Sequence, residues 1–335
     1  VEPVVEPVVE PVVEPVVEPV VEPVVEPVVE PVVEPVVEPV AEPVVEPPVI
    51  EPVVEPPVME TQVVEPPAVQ IIGKQEIVPK IVFVVPYRDR APELDKYLNT
   101  MKHILSVYAE TDYQICVIHQ CDKRPFNRGA MKNIGYLYVS QKYPNDYKDI
   151  TLVFNDVDTV STFPGQFNYQ TKHGTIKHFY GFEFALGGIF SVTAKDFESM
   201  NGFPNYWGWG YEDNLILYRA KSRGLTIDYS EFVPIRSPLV SHNNLDQFRI
   251  VNRSDFQRYY RSRNIARFEE GIVDIKQLKI RVSDQMINVD HFEIPYLPKD
   301  IDMRTHDLRY GNVPFRNMIP RLASSMKMSF TGGNK

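Results

Sequence analysis

The sequence predicts an α/β fold with an open, mostly parallel, Rossmann-like central sheet, preceded by a long low-complexity repeat. Three observations point there. Residues 80–86 (Lys-Ile-Val-Phe-Val-Val-Pro) form an unbroken apolar run closed by proline, as expected of a strand buried on both faces. Strand-like runs at 113–119 and 150–155 alternate with segments of helical period, the order that builds a parallel sheet with helices on its faces. Residues 1–70 carry neither pattern and instead repeat Val-Glu-Pro-Val, decaying after Pro47 into looser Glu-Pro-Pro units.

Proline at every fourth position of that repeat fixes φ and removes a backbone donor, which excludes a helix or a sheet interior. Disorder or polyproline II remains, and glutamates between the prolines repel and extend the chain. The repeat reads as a solvated stalk or linker, ahead of a role as a ligand for Pro-binding domains. The whole chain has a net charge of −10, and the repeat holds sixteen glutamates with no Lys or Arg, which leaves +6 for residues 71–335. A mildly basic domain suits an anionic ligand such as a nucleotide diphosphate, and it lacks the basic runs of a nucleic-acid binder.

The folded domain is expected over 71–300, with 301–335 as a C-terminal tail without a clear period. After the first strand, Pro92 suits the opening turn of a helix over 92–108, where Leu94, Leu98, Met101, Leu105 and Tyr108 fall at helical spacing. A second helix is expected over 127–141, with Ile134, Leu137 and Tyr138 on one face. The third strand runs into Asp156-Val157-Asp158. A strand over 182–192, pierced by Gly187-Gly188, precedes a short helix over 193–200. A helix over 212–223 stops before Gly224, a residue suited to the position after a helix end. Further on, 255–270 reads as a helix and 285–294 as an edge strand.

Cys116 lies in an apolar run and reads as a small buried hydrophobe, and with Cys121 it makes neither metal-motif spacing nor a disulfide scaffold, so a reducing compartment is allowed. No apolar run of about twenty residues exists, so no transmembrane span is expected. The chain begins at Val1, which leaves room for an upstream signal or anchor: cytoplasmic and secretory locations both stay open. Asn252-Arg253-Ser254 is a glycosylation sequon, a triplet that also arises by chance.

In open α/β sheets ligands collect at the carboxyl ends of strands, and the polar clusters fall there. Arg88 and Arg90 follow the first strand, Phe126-Asn127-Arg128 the second, and Asp156 and Asp158 the third. Strand alternation would put both carboxylates on one side, able to hold Mg²⁺ or Mn²⁺, although Asp residues also stabilise strand-end turns. His242, in Leu239-Val240-Ser241-His242-Asn243, offers an imidazole that favours Mn²⁺. Both tryptophans and an acid pair fall within seven residues, Trp207-Gly208-Trp209-Gly210-Tyr211-Glu212-Asp213. The glycines permit a sharp turn and close approach of backbone to ligand. Indole faces pack on the C–H face of a pyranose, and the carboxylates can hydrogen-bond a sugar or take its proton. A packed core turn with acids at a helix start is the alternative.

Pro86-Tyr87-Arg88-Asp89-Arg90, Phe126-Asn127-Arg128-Gly129-Ala130, Asp156-Val157-Asp158, Gly187-Gly188 and the stretch from Asn201 through the tryptophans to Asp213 occur in the order and approximate spacing of one family. The chain resembles the β-1,4-galactosyltransferases, glycosyltransferase family 7, from about Lys80 to Ile294. Glu270-Gly271-Ile272 and Ile287-Asn288-Val289-Asp290 are similar to that family's C-terminal elements. The resemblance implies a GT-A fold, a UDP-sugar donor, Mn²⁺ with Mg²⁺ as the alternative, and inverting transfer of galactose in β-1,4 linkage to a sugar on a glycan, glycoprotein or other acceptor. It implies that Pro86, Arg88 and Arg90 bind the nucleotide, with Tyr87 and Asp89 replacing Phe and Asn. Phe126, Asn127 and Arg128 would surround the nucleotide, where the fixed fork of Arg suits a diphosphate. Val157 and Asp158 would contact donor and metal, with His242 as the second metal ligand. Trp209 and Glu212 would hold the sugar near Gly187 and Gly188, and Asp213 would be the catalytic base.

Three departures bear on specificity. Leu239 stands where the family often has Met three residues before its metal-binding His, and Leu cannot ligate. Ala185 stands where an aromatic residue commonly restricts the donor's C2 substituent, which makes room for UDP-GalNAc or UDP-GlcNAc. Asn214 replaces an acid that often helps to position the acceptor. The rival readings are an N-acetylhexosaminyltransferase of the same fold and a sugar- or nucleotide-binding module without turnover.

Overall fold

The apolar run after Lys80 forms the central strand. All seven residues of β1 (Ile81–Tyr87) are buried, and it pairs in parallel with β2 (Tyr113–Gln120) on one side and β3 (Thr151–Asn155) on the other. Alternation along β1 divides its side chains between two cores. Val82 and Val84 pack with Cys116, Ile118 and the helix α2 (Arg128–Lys142), while Ile81, Phe83 and Val85 pack with Leu94, Tyr97 and Met101 of α1 (Ala91–Ile104). The computed structural model describes residues 77–242, 247–265, 270–311 and 313–318. The chain divides into Val1–Gln70 and Ile71–Lys335, and every described residue belongs to the second unit. The stalk expected at 1–70 lies outside the described residues.

Next come β4 (Thr159–Ser161), β5 (Thr175–Gly181), β6 (Ile189–Thr193), α3 (Ala194–Ser199), α4 (Glu212–Ser222), β7 (Thr226–Asp228), β8 (Val233–Pro234) and β9 (Val240–His242). β10 (Phe248–Asn252), α5 (Arg253–Ile265), β11 (Lys276–Ser283), β12 (Met286–Glu293) and β13 (Met303–Asp307) complete the described chain. The main sheet runs β11-β12-β2-β1-β3-β6-β5-β7, with β8 also paired to β5. Its pairs are parallel except β11–β12, β3–β6 and β5–β6. This is the open, mostly parallel α/β sheet expected from the sequence.

Three expectations are corrected. The strand foreseen over 182–192 starts only at Ile189. Gly181 and Gly188 have φ of 143° and 66°, so the chain between them turns out of the sheet. Second, β12 is an interior strand, parallel to β2 and antiparallel to β11, and the exposed, Lys-bearing β11 takes the edge instead. Third, the region past residue 300 is not simply a tail, because β13 pairs with β10.

Asn252 is buried, and its Oδ1 accepts from the Ser254 N–H at 3.0 Å and the Ser254 hydroxyl at 2.8 Å. The sequon asparagine therefore serves the start of α5. Cys116 is fully buried, and burial pushes its thiol up to about 12. No described helix is long and apolar enough to cross a membrane.

Candidate active site

The site grows from the end of β3. The strand stops at Asn155, whose Nδ2 donates to the carbonyls of Asp156 (2.9 Å) and Thr159 (2.8 Å) and fixes a turn. Once the chain leaves the strand, period-two alternation no longer applies, and the two carboxylates part. Asp156 faces Arg128, whose Nε and Nη2 reach it at 2.7–3.0 Å. Asp158 accepts from Arg90 Nη1 at 3.1 Å and from the Thr159 hydroxyl at 3.0 Å. The expectation of two aspartates side by side for one cation is corrected accordingly.

Pairing of β4 with β9 places Thr159 opposite His242. His242 Nδ1 comes within 4.0 Å of Asp158 Oδ1 and 3.1 Å of Thr159 Oγ1. The candidate metal ligands are thus joined by a two-stranded ribbon between distant parts of the chain.

Arg128, the first residue of α2, is the hub of a charge cluster. Beyond Asp156, its Nη1 donates to Glu212 Oε1 at 2.7 Å and to both oxygens of Asp213 at 2.9 Å. Lys132, one turn along the helix, reaches Asp213 Oδ1 at 3.2 Å, and its ammonium lies 4.3 Å from the Phe203 ring centroid. Burial opposes the charge on Arg128, yet Asp156, Asp213 and Glu212 hold its pKa well above the usual value. Burial and repulsion from Arg128 pull Lys132 down. Burial works against ionised Asp156, but Arg128 and Lys132 prevail and lower its pKa, whereas burial and the neighbouring Asp213 push Glu212 up. The fork assigned from sequence to a diphosphate is therefore engaged by three carboxylates of the protein itself.

Asn127 is corrected more fully. It is completely buried, its Oδ1 accepts from the Ala130 N–H at 2.8 Å, and its Nδ2 donates to the Asn205 carbonyl at 3.1 Å. It caps α2 and ties that helix to the tryptophan turn, because a helix start needs a side-chain acceptor.

The turn itself is built from backbone constraints. Gly208 has φ 92°, donates to the Phe126 carbonyl at 3.0 Å, and would put a Cβ 2.8 Å from the Ile250 oxygen. Tyr211, a non-glycine at φ 73°, sits immediately before α4 and stacks on Tyr259 at 4.8 Å. Strain of this kind persists where the surroundings over-determine it, as at functional sites. The two indoles separate in role. Trp207 is 1 % exposed, stacks on Phe292 and donates its indole N–H to the Tyr296 carbonyl, so it is core. Trp209 stays partly exposed and faces the cleft.

That cleft has a volume of about 1550 Å³. Pro86, Arg88, Arg90, Phe126, Arg128, Val157, Asp158 and His242 line it together with Ala185, Gly187, Gly188, Trp209, Glu212 and Asp213. Of the residues assigned from the sequence to the donor, the sugar, the metal or catalysis, Asn127 is the one absent from its wall. Gly187 is required by space, since a Cβ there would lie 2.5 Å from Asp213 Oδ2. Gly187→Ala is expected to displace that carboxylate and lower kcat by about 100-fold with little change in melting temperature; unchanged kcat would show that the contact is not needed.

Sequence reasoning missed Lys132, although its place four residues after Arg128 on a helix puts both on one face. It also missed Phe182 and Phe184, whose exposed rings stack at 4.9 Å on the cleft rim. Both were hidden inside the misread strand.

Two family models match the chain. The N-terminal region of glycosyl transferase group 7 aligns with residues 65–166 and the N-terminal domain of galactosyltransferase with residues 173–242, together a little over half of its length. β-1,4-Galactosyltransferase 1 of Mus musculus is 30% identical over 199 residues, 57% of this chain and 48% of that protein. Xylosylprotein 4-beta-galactosyltransferase of Caenorhabditis elegans is 34% identical over 149 residues, 42% of this chain and 50% of that protein. β-1,4-Galactosyltransferase 7 of Drosophila melanogaster is 27% identical over 218 residues, 62% of this chain and 66% of that protein. The chain spans about half the length of the first of these curated relatives. Among solved structures, the catalytic domain of Drosophila β-1,4-galactosyltransferase 7 in complex with xylobiose aligns with a TM-score of 0.48 at 23% identity, over 67% of this chain and 96% of that chain. The first family match carries the arginine loop, Arg128 and the aspartate turn, the second runs from the strand before the glycine pair through the tryptophan turn to His242, and the chain belongs to the group 7 glycosyltransferases, the β-1,4-galactosyltransferase family.

Proposed function

We propose that the chain is a metal-dependent, inverting transferase that moves galactose from UDP-galactose to a sugar hydroxyl in β-1,4 linkage. The observation that carries this reading is the position of Asp213: in the first turn of α4, against Gly187, and in the same cleft as Asp158 and His242. The galactosyl transfer named for the mouse, nematode and fly relatives supports the donor.

Asp158 and His242 fit a divalent cation. One carboxylate and one imidazole with atoms 4.0 Å apart suit Mn²⁺, and Mg²⁺ less well because it prefers oxygen. Among the described residues no group of three or more His, Cys, Asp or Glu side chains is arranged around a metal. A small divalent cation readily takes its remaining ligands from phosphate oxygens and water. When bound, it supplies positive charge to the diphosphate that leaves.

The chain's own residues do the rest. Arg88 and Arg90 face the cleft after β1 to hold the nucleotide, with Phe126 as an apolar wall. Trp209 and Glu212 hold the transferred sugar. The acceptor oxygen attacks the anomeric carbon from the side opposite UDP, the glycosidic electron pair departs with the diphosphate, and Asp213 takes the hydroxyl proton. Arg128 and Lys132 occupy part of the Asp213 carboxylate, but its two oxygens offer about four lone-pair sites, so the hydroxyl still has a place to bind.

Ala185, buried in the cleft wall, favours a second reading in which the donor carries an N-acetyl group. The Val-Glu-Pro-Val repeat serves in either case as a spacer. A donor-by-metal screen with GlcNAc, xylose and glucose as acceptors tests the proposal. UDP-galactose turnover with Mn²⁺, abolished by EDTA, is expected, and His242→Ala should raise the Mn²⁺ needed for half-maximal rate by about tenfold or more. Preferred turnover of N-acetylated donors would establish the second reading. Absence of transfer or hydrolysis with every UDP-sugar would leave a binding module.

A further inference from the structure

The chain continues beyond both family matches, and its last described stretch returns to the cleft. β13 pairs antiparallel with β10 from Phe248↔Asp307 to Asn252↔Met303. β10 also touches the tryptophan turn, because the Ile250 carbonyl accepts the Trp209 N–H at 2.7 Å. The strand is thus held between β13 and the turn. Side chains repeat the arrangement. Phe315 is 3 % exposed and packs with Val251 and Phe256 in a small core against which Trp209 and Tyr211 lie. Its ring meets Phe256 at 5.2 Å and the Arg304 guanidinium at 4.4 Å. The Leu308 N–H donates to the Gln247 carbonyl at 2.9 Å, and Leu308 lines the cleft together with Trp209.

We propose that β13 and Phe315 form a clamp that positions Trp209, and with it the sugar-binding wall of the cleft; the substrate named here rests on the transferase reading. The physical reason is marginality. A short two-stranded ribbon has little stability alone, and β10 and β13 make a two-stranded sheet of their own, separate from the main one. An indole that must lie flat on a sugar tolerates little displacement. The clamp converts a residue of the shared tryptophan turn into one whose precision depends on a segment outside both family matches.

The test uses the full chain with Phe315→Ala, Phe315→Leu and His306→Pro. The last removes a backbone donor at a position expected to face β10, because the Ile250 carbonyl faces the turn and successive residues face opposite edges. In Phe315→Ala and His306→Pro the Trp209 amide is expected to exchange about tenfold faster while β1 stays protected. The KM for sugar substrates should rise about fivefold with kcat and UDP affinity nearly unchanged, and Phe315→Leu should restore both. Unchanged Trp209 exchange, or faster exchange with unchanged KM, would overturn the clamp, as would loss of β1 protection in both disruptive variants, which would make the segment a general stabiliser. If the wild-type chain turns over no UDP-sugar, the transferase reading fails separately, and exchange at the Trp209 amide alone decides for or against the clamp.

Discussion

Asp213→Asn is expected to lower kcat for transfer by about 10²–10⁴-fold, the usual contribution of a positioned base, while UDP-sugar binding survives. The substitution keeps shape and removes proton affinity. Asn retains a carbonyl oxygen that can still accept from Arg128 Nη1 or Lys132 Nζ, so the helix start and the contact beneath Gly187 should persist. Single-turnover transfer and calorimetric donor binding measured on the same protein separate the two effects. Transfer at the wild-type rate would move the base elsewhere, and Glu212 would be the first residue to examine. Its carboxyl is already pushed up by burial and by Asp213, so loss of that neighbour's charge would shift any pH profile it controls downward.

How far the site could be read from residues depended on whether the signal was local. β1, β2, β3 and their helices were legible because buried parallel strands are apolar throughout and their connecting helices keep a clean period. β5 was invisible because Thr175-Ile176-Lys177-His178-Phe179 mixes polar and apolar residues without strict alternation. β13 was invisible because Met-Arg-Thr-His-Asp has no apolar face, and its place is set by pairing with β10. Cleft membership was legible from ordered motifs, but partners were not. Nothing near Arg128 in sequence announces that its guanidinium will meet Asp156, Glu212 and Asp213, which arrive from two other elements. The same holds for His242, brought to Asp158 by a register between β4 and β9. Of two tryptophans in one turn, local sequence could not decide which faces solvent; Phe292 and Tyr296, from much later in the chain, claim Trp207.

Arg128→Met should be the most destabilising single change at the site. The side chain is only 16 % exposed and neutralises Asp156, Glu212 and Asp213, with Lys132 as the other cation of the cluster. Removing one member of a buried ionic network leaves its partners uncompensated, which costs about 3–5 kcal/mol. In a folded unit of this size each kcal/mol moves the midpoint by about 2–4 °C, so the melting temperature should fall by roughly 10 °C. Low exposure also makes the loss weakly dependent on salt, unlike that of a surface pair. The double variant Arg128→Met with Asp156→Asn removes one of the stranded charges and should recover part of the stability without recovering transfer, because Asp213 then keeps Lys132 but still lacks the Arg128 guanidinium that contacts both of its oxygens. A single variant that melts with the wild type yet has lost activity would mean that Arg128 does not lock α2, β3 and α4 together, and that its guanidinium turns to the diphosphate when the donor binds.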